Sequence, residues 1–278
     1  MGLDSAIEWT DATWNPTTGC TKISPGCKNC YAATLSRRLK AMGVFKYRNN
    51  FQFTEQPDDL DLPFTWKKQK KVFVNSMSDL FHEQSRMEFI AKCFDVMIKA
   101  DHHQYQVLTK RAKTMVEFSK LFEKYFDSEI PTHVWMGVSV ENADYVWRID
   151  ELRKVKCKTR FISFEPLLGP IGKVDLTGID WAIIGGESGV GFRPVQKEWI
   201  QEIIKQCTKQ KVAVFFKQWG GTRPKSGGRE INGRIYDEYP EIEENSNTLK
   251  YVHFDETSFH EFIVKNMTQK QKVETVKI

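Results

Sequence analysis

Residues 134–140 read VWMGVSV, seven residues with no charge and with β-branched and aromatic side chains prominent. A run this short and this apolar suits a strand buried on both faces, as in a parallel sheet. Comparable runs lie on either side of it: KVFVN at 71–75, YQVL at 105–108, RFISF at 160–164, WAII at 181–184 and VAVFF at 212–216. Each is followed by polar residues, and the gaps of roughly 20–35 residues have the length of one βα unit. Amphipathic stretches fall within these gaps. Arg86–Lys99 places Met87, Phe89, Ile90, Phe94 and Ile98 near one face, and Asn142–Arg153 and Lys197–Gln206 read the same way. An earlier helix is expected to begin at Tyr31 and to stop at Gly43. The rhythm predicts an α/β fold of six strand–helix units arranged as an open or closed β/α barrel. A doubly wound sheet is the alternative, because strand order is not written in a sequence. The first strand is weak by periodicity and is placed within Ile7–Asn15, where Trp9 and Trp14 are read as packing residues.

A chain of 278 residues is long enough for one large α/β domain or two small ones. Its net charge of +5 permits a polyanionic partner without requiring one. No run of about 18 apolar residues is present, so no membrane span is expected. The segment MGLDSAIEWTDATWN is polar and acidic, unlike a signal peptide, and a cytoplasmic, reducing location is expected. In such a location the six cysteines are ligands or core residues rather than disulfides. Residues 1–240 form the expected barrel domain. Within it, 44–70 look irregular, with PDDLDLP as a turn-rich connection and KKQKK as a solvated charge run, and 222–240 should form a loop. Residues 241–278 form a tail with one short helical pattern, Thr257–Asn266, and a polar end expected to be mobile.

Three of the cysteines stand in TGCTKISPGCKNCYA, where Cys20, Cys27 and Cys30 have C-x6-C-x2-C spacing. The closing C-x2-C brings two thiolates onto one turn, and Gly19, Pro25 and Gly26 supply the tight backbone that turns the third inward. Three cysteines within one Gly/Pro-containing loop point to a metal centre rather than to incidental core thiols. A redox C-x2-C pair would leave Cys20 without a role. A structural zinc site wants four protein ligands, and no second C-x2-C or H-x3-H pair is visible. His82, or the pair His102 and His103, would complete a zinc site. Cys93, Cys157 and Cys207 stand singly and read as core thiols. Three cysteines alone would hold three irons of a four-iron cube and leave the fourth iron open.

Polar residues recur where strands are expected to end, which is where function collects in β/α barrels. Asn75 is followed by Ser76, Ser78 and Asp79, and Leu108 by Thr109, Lys110 and Arg111. Val138 leads to Ser139, Glu141 and Asn142, and Phe164 to Glu165. Ile184 leads to Gly185, Gly186, Glu187 and Ser188, and the last strand ends in Lys217, Gln218 and Trp219. GGESGVG lacks the spacing of a dinucleotide fingerprint or a P-loop, but its glycines would let a ligand approach the backbone. Together these residues read as a mouth for a cofactor and a substrate.

IEWTDATWNPTTGC, GCKNCYA, VFVNSMSDLFH, VLTKR, GVSVEN, ISFEPLLGP, IIGGESGVGFRP, FFKQWGG and NGRIYDEYP together resemble one family. It is an uncharacterised family, common in phages and bacteria, of three-cysteine-motif, radical-SAM-like proteins, and the resemblance covers roughly residues 5–240. It implies a partial (β/α)6 barrel of radical S-adenosylmethionine (SAM) type with an N-terminal cysteine loop. Cys20, Cys27 and Cys30 would hold a 4Fe-4S cluster, with SAM on the open iron. SMSDLF and TKR are also similar to the spore photoproduct lyase branch, which implies Ser78, Asp79, Thr109 and Lys110 near SAM. Ser139 and Glu141 would suit its ribose or methionine part, and Glu165, Gly185, Gly186 and Glu187 its adenosine side. The implied activity is reductive cleavage of SAM to a 5′-deoxyadenosyl radical that abstracts hydrogen from a substrate. Lys110, Glu187 and Lys217 are then the catalytic candidates, with Arg193 as a further contact.

An electron donor such as flavodoxin or ferredoxin is implied as a partner, and nucleic acid or a nucleotide is the first substrate class expected from the basic balance. The motif departs from the usual C-x3-C-x2-C, in which an aromatic residue lies between the last two cysteines. Here the first gap is six, Lys28 and Asn29 fill the second, and the aromatic Tyr31 follows Cys30. Two rival readings stand beside this one: a non-catalytic nucleic-acid-binding protein with a structural zinc, and a cluster protein that senses redox state or transfers electrons.

Overall fold

The computed structural model describes residues 5–241 and 253–266, so the polar end after residue 266 lies outside the described residues. Seven parallel strands form the central sheet: β1 (Ala12–Trp14), β2 (Lys71–Val74), β3 (Gln104–Thr109), β4 (Val134–Ser139), β5 (Arg160–Phe164), β6 (Trp181–Gly185) and β7 (Ala213–Gln218). Their spatial order is their chain order, with β1 and β7 at the edges of a curled half-barrel. A doubly wound sheet needs a point where strand order reverses, and none occurs here. The six apolar runs are strands β2 to β7, and the first strand lies inside Ile7–Asn15.

Helices α1 (Tyr31–Ala41), α2 (Met87–Lys99), α3 (Ala112–Phe126), α4 (Trp147–Leu152) and α5 (Lys197–Lys209) occupy the crossovers. The β5–β6 crossover, residues 165–180, has no helix, so the strand–helix alternation lapses once. α3 is a further helix beyond the expected amphipathic stretches, although its buried Met115, Val116, Phe118, Phe122 and Phe126 fall at helical spacing. α4 is shorter than the Asn142–Arg153 pattern because Ala143–Tyr145 is a 3-10 turn, capped by the Asn142 side chain accepting from Asp144 N. In 222–240 the strands Glu230–Ile231 and Arg234–Ile235 form a small hairpin. The last described helix, α6 (Glu256–Asn266), buries Phe259 and Ile263 and touches α2 and α3.

Period-two alternation gives each strand two buried faces. Val72 and Val74, Tyr105 and Val107, Met136 and Val138, and Ile162 and Phe164 point outward into the core shared with the helices. The inward positions follow the register. Phe73, Gln106 and Trp135 are neighbours across β2–β4. Leu108, Gly137, Phe161, Trp181 and Ala213 form the next row, and Ser139, Ser163, Ile183 and Phe215 the one above it. Trp9 joins this interior, with ring centroids 4.6 Å from Phe73 and 6.1 Å from Trp181, and Tyr239 stacks on Trp181 at 5.1 Å. The floor of the half-barrel is therefore a packed set of aromatic rings. Toward the C-terminal strand ends the inward positions become Lys110, Ser139, Glu141, Glu165, Glu187 and Lys217. That change from aromatic to polar along one face sets the site at the mouth. Trp14 packs on the helix side, so both early tryptophans are packing residues.

Trp181 is fully buried at the centre of the floor, and its Nε1 donates to Glu238 O at 2.8 Å. Trp181→Ala should cost about 3–5 kcal/mol of stability, measurable as a lowered urea midpoint with an unchanged slope.

Candidate active site at the strand ends

After β1 the chain crosses the mouth. Thr17–Thr18 pair antiparallel with Thr54–Glu55, and Gly19 bridges to Ser78 in the β2 loop. Cys20 follows, Cys27 closes a one-turn 3-10 helix begun by Pro25, and Cys30 is the N-cap of α1. All three thiols are half-buried, whereas Cys93, Cys157 and Cys207 are buried in the core. Gly26 lies against Glu141 so closely that a Cβ would sit 2.6 Å from the carboxylate Oε1. Asn29 Nδ2 donates to Glu187 Oε2 at 3.0 Å and to Gly191 O at 2.9 Å. The cysteine loop thus spans the mouth from the β2 loop, over the end of β4, to the end of β6.

A buried guanidinium organises one side of this loop. Arg111, only 6% exposed, donates through Nη1 to Asp79 Oδ2 at 3.1 Å and to Cys20 Sγ at 3.4 Å. Its Nε donates to Glu83 Oε1 at 2.8 Å and its Nη2 to Thr21 Oγ1 at 2.8 Å. Asp79 also accepts from Thr109 Oγ1 at 2.6 Å, Phe81 N at 3.1 Å and Lys110 N at 3.1 Å. Burial, with Asp79 beside it, pushes the Cys20 thiol up to about 12 against the opposing pull of Arg111. Burial also acts to raise Cys27, but the Ile23 and Ser24 amides, the Ser24 hydroxyl and Lys110 together bring it below its ordinary value. Sequence reading placed Arg111 only as a strand-end residue. Nothing in the local pattern signals that it folds back onto Cys20.

Three carboxylates line the rest of the mouth, and each is paired. Glu141, wholly buried, meets Lys110 Nζ at 3.0 Å and Arg148 Nη1 at 2.9 Å and accepts from Ser24 Oγ. Burial would raise its pKa, but the two cations and the hydroxyl outweigh it and hold the carboxyl below its ordinary 4.5. Glu165 meets Lys217 Nζ at 3.0 Å and accepts from Ser163 Oγ at 3.2 Å. Glu187 accepts from Arg193 N at 2.9 Å and Nε at 2.8 Å. Arg148 was not singled out from sequence either, since it lies within a helix, seven residues beyond its partner.

The fold therefore brings Asp79, Thr109, Lys110, Glu141, Glu165, Glu187 and Lys217 around one mouth. Ser78 is engaged differently: its Oγ donates to Thr17 O at 2.8 Å and so ties down the segment before the cysteines. Ser139 is buried, and its carbonyl accepts from Arg148 Nη1 at 2.8 Å. Gly185 and Gly186 make room for the chain's own atoms. A Cβ at 185 would lie 2.6 Å from Glu165 Oε1, and one at 186 would lie 2.1 Å from Trp219 O. His102 and His103 stand before β3, at the opposite end of the strands, with their Nε2 atoms on Trp66 O and Pro63 O. They cannot complete a metal site with the cysteines. His82 lies beneath the loop, its Nδ1 accepting from Gln84 N at 3.1 Å and its Nε2 at Thr21 Oγ1 at 3.1 Å.

Residues 4–240 match the model of the family described as protein of unknown function (DUF5131), and the chain belongs to that family. No curated protein matches it. Among solved structures, the chain is similar to spore photoproduct lyase complexed with dinucleoside spore photoproduct, with a TM-score of 0.44 and 12% identity. That match covers 75% of this chain and 64% of the lyase, so the chain spans less than two thirds of it. A double mutant of the lyase with bound AdoMet and dinucleoside spore photoproduct matches with a TM-score of 0.43 and 13% identity, covering 94% of this chain and 76% of that one. No described helix is long and apolar enough to cross a membrane.

Arg111→Met leaves Asp79 a buried charge without its cation, and should cost about 3–5 kcal/mol in urea unfolding, with Arg111→Lys recovering part of the loss. Glu141 is depressed in the folded state, so its contribution is present above its unfolded value and lost as pH falls through the folded one. The stability gap between wild type and Glu141→Gln should be constant near neutral pH and shrink as pH falls below 4.5. A gap independent of pH would show that Glu141 carries no such linkage.

Proposed function

We propose that the chain is an iron–sulfur enzyme of the radical SAM kind, acting at the mouth of the half-barrel. The observation that carries this reading is the donor set. Three half-buried thiols stand on one loop over a polar rim, and the histidines beside or below them are held by other partners. Three thiolates suit a four-iron cluster with one open iron, whereas a structural zinc wants a fourth protein ligand. Among the described residues, no three of Cys, His, Asp and Glu converge at metal-ligand separations. Cluster binding is therefore expected to draw the loop together, coupling metal uptake to local folding.

Bound at this loop, a cluster and SAM would supply a 5′-deoxyadenosyl radical for hydrogen abstraction. The chain's own residues position and shield. Cys20, Cys27 and Cys30 hold the metal centre, with Arg111 donating to Cys20 Sγ and Ser24 Oγ 3.5 Å from Cys27 Sγ. Lys110 and Glu141 stand nearest the Cys27 turn and suit the charged amino-acid end of SAM. Glu165 with Lys217, and Glu187 with Arg193, suit the adenosine side and the substrate. A ligand carrying both charges can exchange partners with these pairs without leaving a bare ion in a dry site.

Anaerobic reconstitution with iron and sulfide should load about four irons per chain, and addition of SAM and dithionite should release 5′-deoxyadenosine. Cys→Ser at 20, 27 or 30 should each abolish the product. A zinc-only protein, or a four-iron protein that never yields 5′-deoxyadenosine, would overturn the reading.

A further inference from the structure

A guanidinium carries five N–H donors in one rigid plane, so its hydrogen bonds can be followed one by one. All five of Arg111 have an acceptor. Nε donates to Glu83 Oε1 at 2.8 Å, and Nη2 donates to Thr21 Oγ1 at 2.8 Å and to Thr21 O at 3.3 Å. Nη1 donates to Asp79 Oδ2 at 3.1 Å and to Cys20 Sγ at 3.4 Å. The fifth acceptor is therefore a sulfur. Arg111 is buried, where an ill-satisfied N–H is costly. A thiol is a weak acceptor, whereas a negatively charged sulfur accepts a charge-assisted bond. The arrangement suits a Cys20 sulfur that carries charge, as a metal-bound sulfur does.

The other two cysteines are surrounded differently. Ser24 Oγ stands 3.5 Å from Cys27 Sγ, but its hydroxyl proton goes to Glu141 Oε1 at 2.5 Å. The Ile23 and Ser24 amides that favour the Cys27 thiolate are neutral. Lys110, whose charge also favours it, is paired with Glu141 at 3.0 Å. Cys30, the N-cap of α1, makes no side-chain cap hydrogen bond. Among the described residues, Cys20 is the one cysteine of the three whose sulfur accepts from a charged side chain. The acids behind Arg111 weaken that charge only in part. Glu83 is exposed to water, and Asp79 also accepts from Thr109 Oγ1, Phe81 N and Lys110 N.

Resting on the cluster reading above, we infer that Arg111 tunes the cluster: its Nη1 hydrogen bond to the Cys20 sulfur stabilises the reduced state and raises the reduction potential. The step it biases is the gain of one electron by the cluster from a low-potential reductant. That reductant is oxidised by one electron, and no bond forms or breaks. Added negative charge is shared by the cluster and the thiolates that hold it, so a cation fixed on one thiolate favours the more negative state. Hydrogen bonds to the sulfurs are among the factors that set such potentials. Asp79, a carboxylate on the same guanidinium, acts in the opposite sense. Arg111 touches a metal ligand and no substrate, so it is a positioning residue whose effect is read in a potential.

The test uses reconstituted holoprotein titrated anaerobically with dithionite and mediators, with the midpoint potential read by electron paramagnetic resonance. R111M should make reduction harder by about tenfold in the equilibrium constant, a fall of about 59 mV for one electron. R111K keeps the charge but loses the planar fork, and its potential should fall by less. D79N removes the opposing carboxylate and should raise the potential. K154M, at an exposed position just after α4, should match wild type. The R111M shift should persist at about 1 M salt, where exposed charges are screened. Iron and sulfide counts check that each variant holds an intact cluster. If R111M loads no cluster, the opposed shifts of R111K and D79N decide. Intact clusters with wild-type potentials in the Arg111 variants overturn the proposal, as do R111K and D79N shifts of the same sign or a shift lost at high salt. Failure of the wild type to form a four-iron cluster overturns the enzyme reading and this proposal together. A four-iron cluster that shows these shifts but never yields 5′-deoxyadenosine overturns the enzyme reading alone.

Discussion

The Arg111 guanidinium is the tie on which the mouth depends. A buried cation must be paired and its N–H groups satisfied, or it destabilises the fold that holds it. Arg111 meets that demand by drawing on three segments that are far apart in the chain: Asp79 and Glu83 after β2, its own position after β3, and Cys20 with Thr21 after β1. Asp79 completes the tie by accepting from the Thr109 hydroxyl and the Lys110 amide. The first cysteine is thereby fixed to the ends of two core strands. Its position depends on the parallel register of β2 and β3, not on the loop's own geometry.

A second constraint runs along the interior of the half-barrel. The floor is closed by Trp9, Trp135, Phe161, Trp181 and Phe215, with the buried Gln106 beside them donating to Trp9 O. Charges collect at the other end, where Lys110 meets Glu141, Lys217 meets Glu165 and Arg193 meets Glu187. Each rim carboxylate carries its own cation. The mouth is thus close to neutral within itself.

The strand runs were legible because burial on both faces leaves an unbroken apolar string, and all six expected runs are strands of the sheet. The cysteine loop was legible because its spacing, glycines and proline are local. The same local logic identified Trp9 and Trp14 as packing residues and the three single cysteines as core thiols. It overlooked α3, whose apolar positions do repeat at helical spacing, and it placed a helix rhythm across residues 165–180, where the chain is irregular. At the mouth, the strand ends that pattern reading gathered stand around one opening, and Gly185 and Gly186 lie against the chain's own atoms. A Cβ at Gly185 would meet the Glu165 carboxylate and one at Gly186 the Trp219 carbonyl, contacts that no local pattern displays.

Sequence alone therefore determined the parallel β/α architecture, the three-thiol loop and the polar strand ends, since each is a property of neighbouring residues and of periods of two or 3.6. Only the tertiary structure decided which acid meets which cation, that Arg111 and Arg148 are buried partners in the site, and that His102 and His103 stand at the wrong end of β3. Those facts depend on strand order, register and loops folding back over tens of residues, and no local pattern encodes them.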